Sequence, residues 1–283
     1  MAQESIGAAP PSSSGTGRAA TLFGMAAKKV RLGGMALQNG VLVHGPTAWA
    51  CAVRTPSGEL RVVAERKRLR AAAVERPLLR GPARLLDALL VLPTARRRMP
   101  EVRLPFEQPA VLAAMVASLV GIRLLRSSER ISPVAEELVG GLLSLAPATL
   151  ALRGGDLAAY HGAEHISIGS YEHGEPRPRE HERCGTHLVG PLLVASAVGA
   201  ALAARAPSHL RGPARLAATI GAVAAATEIF GWMVRNPERP LAKALARPGH
   251  ELQHRFATAE PTPEQLEVAQ AALAACLELE HGD

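Results

Sequence analysis

The interval from Tyr160 to Thr186 holds more metal-binding and proton-transfer groups than any other stretch of the chain. It contains His161, Glu164, His165, Glu172, His173, His181, Cys184 and His187. The order His-x-x-Glu-His at 161–165 inverts the His-Glu-x-x-His arrangement of zinc peptidases. On a helix, His161 and His165 share one face with Glu164 beside them. Two neutral imidazoles so placed can take two corners of a tetrahedral Zn²⁺. A third acid or thiolate from elsewhere would leave one corner open for catalysis. Glu164 would then act as general base toward a water. The competing reading is structural: the histidines cap and hydrogen-bond a helix end near a polar surface.

Positioning such a motif requires a framework, and composition bounds it. The chain has 283 residues, 48% hydrophobic and 20% charged, enough for one large domain or two small ones. The mean hydropathy of +0.10 is high for a soluble protein and low for a pure membrane bundle. Aromatics are only 3%, so interfacial Trp and Tyr belts are thin. The net charge of +7 is carried mostly by arginines at the ends of apolar runs. No basic patch is interleaved with aromatics, so no nucleic-acid partner is expected, and anionic lipid head groups fit better. Cys51, Cys184 and Cys276 are widely spaced, which implies no disulfide framework and a reducing compartment. Cys51 and Cys276 read as small apolar fillers.

In chain order, residues 1–32 read as a disordered tail, rich in Ser, Gly, Ala and Pro over 1–20. Its start is acidic and no adequate apolar core follows, so it does not read as a signal peptide. Residues 33–103 are expected to form a small cytoplasmic unit. Its first part is a β hairpin or meander with strands near 49–54 and 59–64; its second is a basic amphipathic helix over 78–92 that Pro93 ends. Residues 104–247 carry four apolar segments, 108–125, 134–152, 188–204 and 216–234. Hydropathy alone leaves both membrane helices and buried helices of a soluble bundle open. If the segments span, an even number of crossings puts the arginine-rich flanks and the 153–187 connection on one side. The positive-inside tendency makes that side cytoplasmic. Residues 248–283 are expected to be cytoplasmic, with a final helix capped by Thr262 and starting at Pro263. A second His-x-x-x-His, at His250 and His254, is read as structural, and His173, His181 and His187 as surface residues of a polar loop.

These residues resemble the YqhQ-like family of bacterial membrane proteins. The resemblance rests on Gly33-Gly34-Met35-Ala36, Asn39-Gly40-Val41, Gly45-Pro46, Pro77 to Gly81, Tyr160 to His165, Tyr171-Glu172, Arg183 to Thr186, Glu228, Pro248-Gly249, Leu252-Gln253, Thr258, Glu260-Pro261 and Glu267 to Ala269. It implies a mainly α, polytopic helical bundle with about four membrane helices, set in the bacterial inner membrane. It further implies a metal-dependent site facing the cytoplasm, as do both termini, and brings no established reaction. The chain departs from the pattern at Asn39, where relatives carry Glu, and at Ile166, where they carry a basic residue.

For the third ligand, Glu228 ranks first, because a carboxylate within a membrane helix is costly and by default functional. Glu172 and Cys184 are the alternatives, and an arginine partner for Glu228 is the structural one. Arg183 either stabilises a developing oxyanion or pairs with Glu180 or Glu182. The resulting expectation is a membrane-embedded, zinc-dependent hydrolase with a peptide bond as default substrate. A non-enzymatic membrane scaffold with a structural polar cluster is the alternative, and a redox-metal lipid-modifying enzyme comes third. Neither the substrate, a protein or a lipid, nor the oligomeric state follows from the sequence.

Overall fold

The computed structural model describes residues 29–69, 71–127, 130–153 and 155–282. The tail expected over 1–32 therefore lies, as far as residue 28, outside the described residues.

Four strands form an antiparallel meander in the order β1 (Gly33–Leu37), β2 (Gly40–His44), β3 (Ala48–Arg54) and β4 (Leu60–Arg66). The expected strands at 49–54 and 59–64 are β3 and β4, and the glycine-punctuated stretch before them is itself a hairpin. Its turn is Gln38-Asn39, where the Asn39 amide donates to the carbonyls of Arg54 and Glu101. Position 39 thus closes a turn and does not line the site described below.

Strand alternation sends Leu37, Leu42, Trp49, Cys51 and Val53 to one face, and Val41, Val43, Ala50 and Ala52 to the other. The first face packs on α1 (Arg80–Arg98) through Val91 and Ala95. The second packs on α4 (Asp156–His173) and α8 (Pro263–His281), through Tyr160, Ala163, Ile168, Val268, Ala269 and Cys276. Both faces are covered, which removes the marginal stability of an isolated hairpin. Cys51 and Cys276 fill these cores. Helix α1 does not stop at Pro93, as the sequence suggested, but continues to Arg98. Proline leaves one carbonyl of the preceding turn without its donor. The continuation is favoured because the next turn buries Ala95 against the sheet.

Four helices are long and apolar enough to cross a membrane. They are α2 (Pro109–Arg126), α3 (Pro133–Leu152), the run Gly185–Ala203 ending in α5 (Val189–Ala203), and the run Ser208–Arg235 ending in α6 (Arg211–Arg235). Only 11–22% of each apolar window is buried inside the protein. Leu119, Leu142, Leu216 and Ile220 are among the side chains facing outward. Such an apolar exterior is stable in lipid and costly in water. At one end of the bundle, buried Glu136 lies 3.6 Å from Arg126 and 3.7 Å from Arg215, linking α2, α3 and α6. The sheet, α1, α4, α8 and the intervening α7 (Pro240–Leu252) gather at the other end.

Helix α8 begins as expected, with Thr262 and Gln265 forming a reciprocal capping box before Pro263. Its far end returns to the sheet. The Glu280 carboxylate accepts from the backbone N–H groups of Thr47 and Ala48 at 2.7 and 2.6 Å.

Candidate metal centre

Helix α4 carries the His-x-x-Glu-His stretch, and the helix expected there is present. It is buried on most sides, with Leu157, Ala158, Tyr160, Ala163, Glu164, His165 and Ile168 all enclosed. A helix this enclosed needs close neighbours, and glycine permits them. A Cβ at Gly162 would lie 2.2 Å from the Ala259 carbonyl oxygen. A Cβ on Gly34 in β1 would lie 2.2 Å from the Glu164 carboxyl, so Glu164 occupies the space that Gly34 leaves.

The two imidazoles are fixed by backbone carbonyls. His161 Nδ1 lies 2.7 Å from the Ala257 oxygen, and His165 Nδ1 lies 2.6 Å from the Arg179 oxygen. A carbonyl only accepts, so each Nδ1 carries the proton and donates it, leaving each Nε2 lone pair free. Cys184 Sγ sits 3.5 Å from His161 Nε2. One ligand atom each from His161, His165 and Cys184 lie within 4.8 Å of one another. Two Zn–ligand bonds of roughly 2.0–2.3 Å at a tetrahedral angle span about 3.6 Å, close to the separation of sulfur and Nε2. The three donors are of the kinds a zinc ion takes, and the one separation between sulfur and Nε2 matches that span.

Glu164 stands beside this set, its Oε2 3.9 Å from His161 Nε2. Burial pushes its carboxyl up to about 7, against the opposing pull of His161. Burial likewise raises the Cys184 thiol and, with His161 nearby, holds His165 well below the usual imidazole range. A neutral imidazole keeps a lone pair for a ligand at any physiological pH. A buried thiol gives up its proton only with a cation beside it.

A second layer holds the Cys184 loop. Gln253 is fully buried in a five-residue π-helical turn after α7. Its Oε1 accepts from the His181 N–H at 2.8 Å, and its Nε2 donates to the His181 carbonyl and the Thr186 hydroxyl. Nε2 also lies 3.2 Å from His187 Nδ1. His181 and His187 are consequently buried, where the sequence suggested surface positions. Both packed inward because Gln253, 66–72 residues further on, satisfies the loop. Arg183 pairs with Glu172, whose other oxygen lies 3.2 Å from His181 Nε2. Neither Glu180 nor Glu182 is the partner of Arg183.

Of the five residues nominated as ligands, His161, His165 and Cys184 are brought together, and Glu172 is engaged in the layer behind them. Glu228 stands apart. Its carboxylate accepts from Arg80 Nε at 2.9 Å, from a second Arg80 nitrogen and from the Leu78 N–H. The geometry thus reverses the ranking of Glu228 over Cys184. His250 and His254 stack at 6.3 Å, and His254 Nδ1 sits 3.0 Å from Glu180, as a surface pair would.

The cluster opens into a cavity of about 430 Å³. His161, Glu164, His165, His181, Arg183 and Cys184 form its polar side. Its apolar side combines Met35 and Ala36 of β1, Pro105, and Ala148, Ala151 and Leu152 at the end of α3. The site therefore sits where the end of α3, a candidate membrane span, meets the sheet and α4. Gly34 and Gln253 were overlooked as site residues, although both fall in stretches that carry the family resemblance. Their roles depend on contacts across 130 positions (Gly34 to Glu164) and 72 positions (Gln253 to His181), which no local pattern encodes.

Comparison with curated proteins and with solved structures gives no match. Residues 155–279, which include every member of the His/Glu/Cys cluster and Gln253, match the family described as "Protein of unknown function (DUF1385)".

Proposed function

We propose that this protein is a membrane-embedded, zinc-dependent hydrolase whose site faces the cytoplasm. One observation carries the reading. Two imidazoles oriented by backbone carbonyls turn their unprotonated Nε2 atoms toward a thiol, with a buried carboxyl that has no arginine or lysine partner among the described residues next to them. Carbonyl-oriented histidines are the usual support of a metal ligand.

His161, His165 and Cys184 would hold the ion. When bound, it supplies Lewis acidity toward water and toward a substrate carbonyl. Glu164 does the proton work. Standing beside the ligand set, it accepts a proton from the attacking water and releases it to the leaving group. Hydrolysis then balances: hydroxide adds to the acyl carbon, the acyl bond to the leaving atom breaks, and that atom takes the proton. Arg183, lining the cavity and held by Glu172, is placed to meet negative charge developing on the acyl oxygen. The arginine-rich flanks on the same side of the bundle as the site support the cytoplasmic assignment.

The test is metal content and turnover of the full chain purified in detergent. Wild type is expected to hold about one zinc per chain. His161→Ala loses the metal, whereas Glu164→Gln keeps it and loses turnover. A wild-type chain without metal overturns the proposal. Metal retained with no turnover on acyl substrates, in a shell of four protein ligands, favours the scaffold reading instead.

A further inference from the structure

The cavity contains a sheet edge. Strand β1 is at the end of the order β1-β2-β3-β4, so one of its edges has no strand beside it. The two-residue turn makes Leu37 and Gly40 a hydrogen-bonded pair, as are Met35 with Leu42 and Gly33 with His44. The N–H and C=O groups of Gly34 and Ala36 therefore point the other way. They form no hydrogen bond to another part of the chain among the described residues. Gly33, Gly34, Met35 and Ala36 all line the cavity.

This edge can already be seen to accept a partner. The next outward N–H, that of Gln38, donates to the Arg103 carbonyl at 3.1 Å. The Gln38 side chain follows the same segment to the Leu104 carbonyl. At Pro105 that segment turns into a short helical turn, and no backbone among the described residues pairs with Gly34 and Ala36. A row of unpaired strand N–H and C=O groups is a template for pairing. The groups that match them in kind and spacing are those of another extended backbone. An acyl chain offers none.

We infer that β1 is the substrate-binding strand, and that the substrate is an extended polypeptide segment that adds to its edge beside the metal centre. As a substrate assignment this rests on the hydrolase reading; the strand addition stands on the edge geometry. Two features fix the register. Glu164 fills the space above Gly34, so a backbone paired there passes alongside the general base. The opposite wall is apolar, with Ala148, Ala151 and Leu152 at the end of a membrane-crossing helix. The segment accommodated is thus small and apolar in its side chains, such as the end of a transmembrane segment drawn out of helical form.

The experiment measures binding separately from turnover. The full chain in detergent is stripped of metal with a chelator and titrated with a dansyl-labelled, capped octapeptide of alternating alanine and valine, read by anisotropy. N-methylation of every second amide removes the donors on one edge of the peptide only. Methylating one parity is expected to weaken binding roughly tenfold or more, from the loss of two hydrogen bonds, and the other parity less than twofold. Equal responses to the two parities, no response, or no binding of the parent peptide overturns the inference; an acyl-chain cavity gives the first or second of these. On the protein side, Ala36→Pro removes one outward N–H and is expected to weaken binding several-fold, since proline is tolerated on edge strands. Should that variant not fold, the methylation series on the unaltered chain decides. The two readings then separate: parity-dependent binding without cleavage by the zinc-loaded chain sinks the hydrolase and keeps the strand site. Cleavage of another acyl probe without parity-dependent peptide binding does the reverse.

Discussion

Glu164 of α4 and Glu228 of α6 were both candidates for the same site, and their surroundings differ. Glu228 of α6 is met by Arg80 and by the Leu78 N–H. Glu164 of α4 has no arginine or lysine partner among the described residues, only an imidazole at 3.9 Å. The first arrangement neutralises its charge and fastens α1 to the membrane bundle. The second leaves a carboxyl that burial pushes up to about 7. A carboxylate in an apolar helix is therefore informative only together with what faces it.

Variants in both regions test this difference. The largest expected effect is on metal: His161→Ala or Cys184→Ser should lower zinc from about one per chain to near zero by elemental analysis, with the fold retained by circular dichroism. Next is the stability of the sheet end. His44 Nδ1 lies 3.1 Å from Lys67 Nζ, in the buried Lys67–Asp87 pair. Burial first, then Lys67, lowers His44 to about 4. Its folded value is below the ordinary 6.5, so the unfolded chain binds more protons between the two. The stability is full above about pH 6.5 and is lost as pH falls through about 4, on the order of 3 kcal/mol in all. Thermal unfolding in detergent across that window should show the loss, and His44→Gln should flatten it.

Glycines in the same two helices should respond in opposite directions. Gly162→Ala in α4 drives a methyl into the Ala259 carbonyl and should destabilise by about 1–3 kcal/mol. Gly221→Ala in α6 meets open space and should be neutral or stabilise by about 0.5–1 kcal/mol. Melting temperatures of the two variants check this directly. The smallest effect is the most pointed: Glu228→Gln should leave zinc content unchanged. A loss of zinc there would place Glu228 in the metal site and dissolve the contrast.

What was legible in the sequence was local. The four apolar runs, the capped start of α8, two of the four strands and the helical spacing of His161, Glu164 and His165 all follow from periodicity and end signals within a few residues. The chain-distant parts were not legible. Nothing in 226–230 signals that Glu228 meets Arg80, 148 positions earlier. The motif of Cys184 carries no ligand spacing of its own, and only the Gln253 clamp delivers it to His161. Pro93 misled for a related reason: burial of Ala95 against the sheet outweighs a local breaker.

The bond from His161 Nδ1 to the Ala257 carbonyl has a consequence for the order of events during synthesis. Residue 257 leaves the ribosome only after the last membrane-crossing run, which ends at Arg235, has been made. Until then His161 has no partner to select its tautomer, and the Cys184 loop has no Gln253. The centre is therefore assembled after insertion, when the end of the chain folds back. A chain released early would have all four candidate spans and neither of the contacts that orient His161 and hold the Cys184 loop.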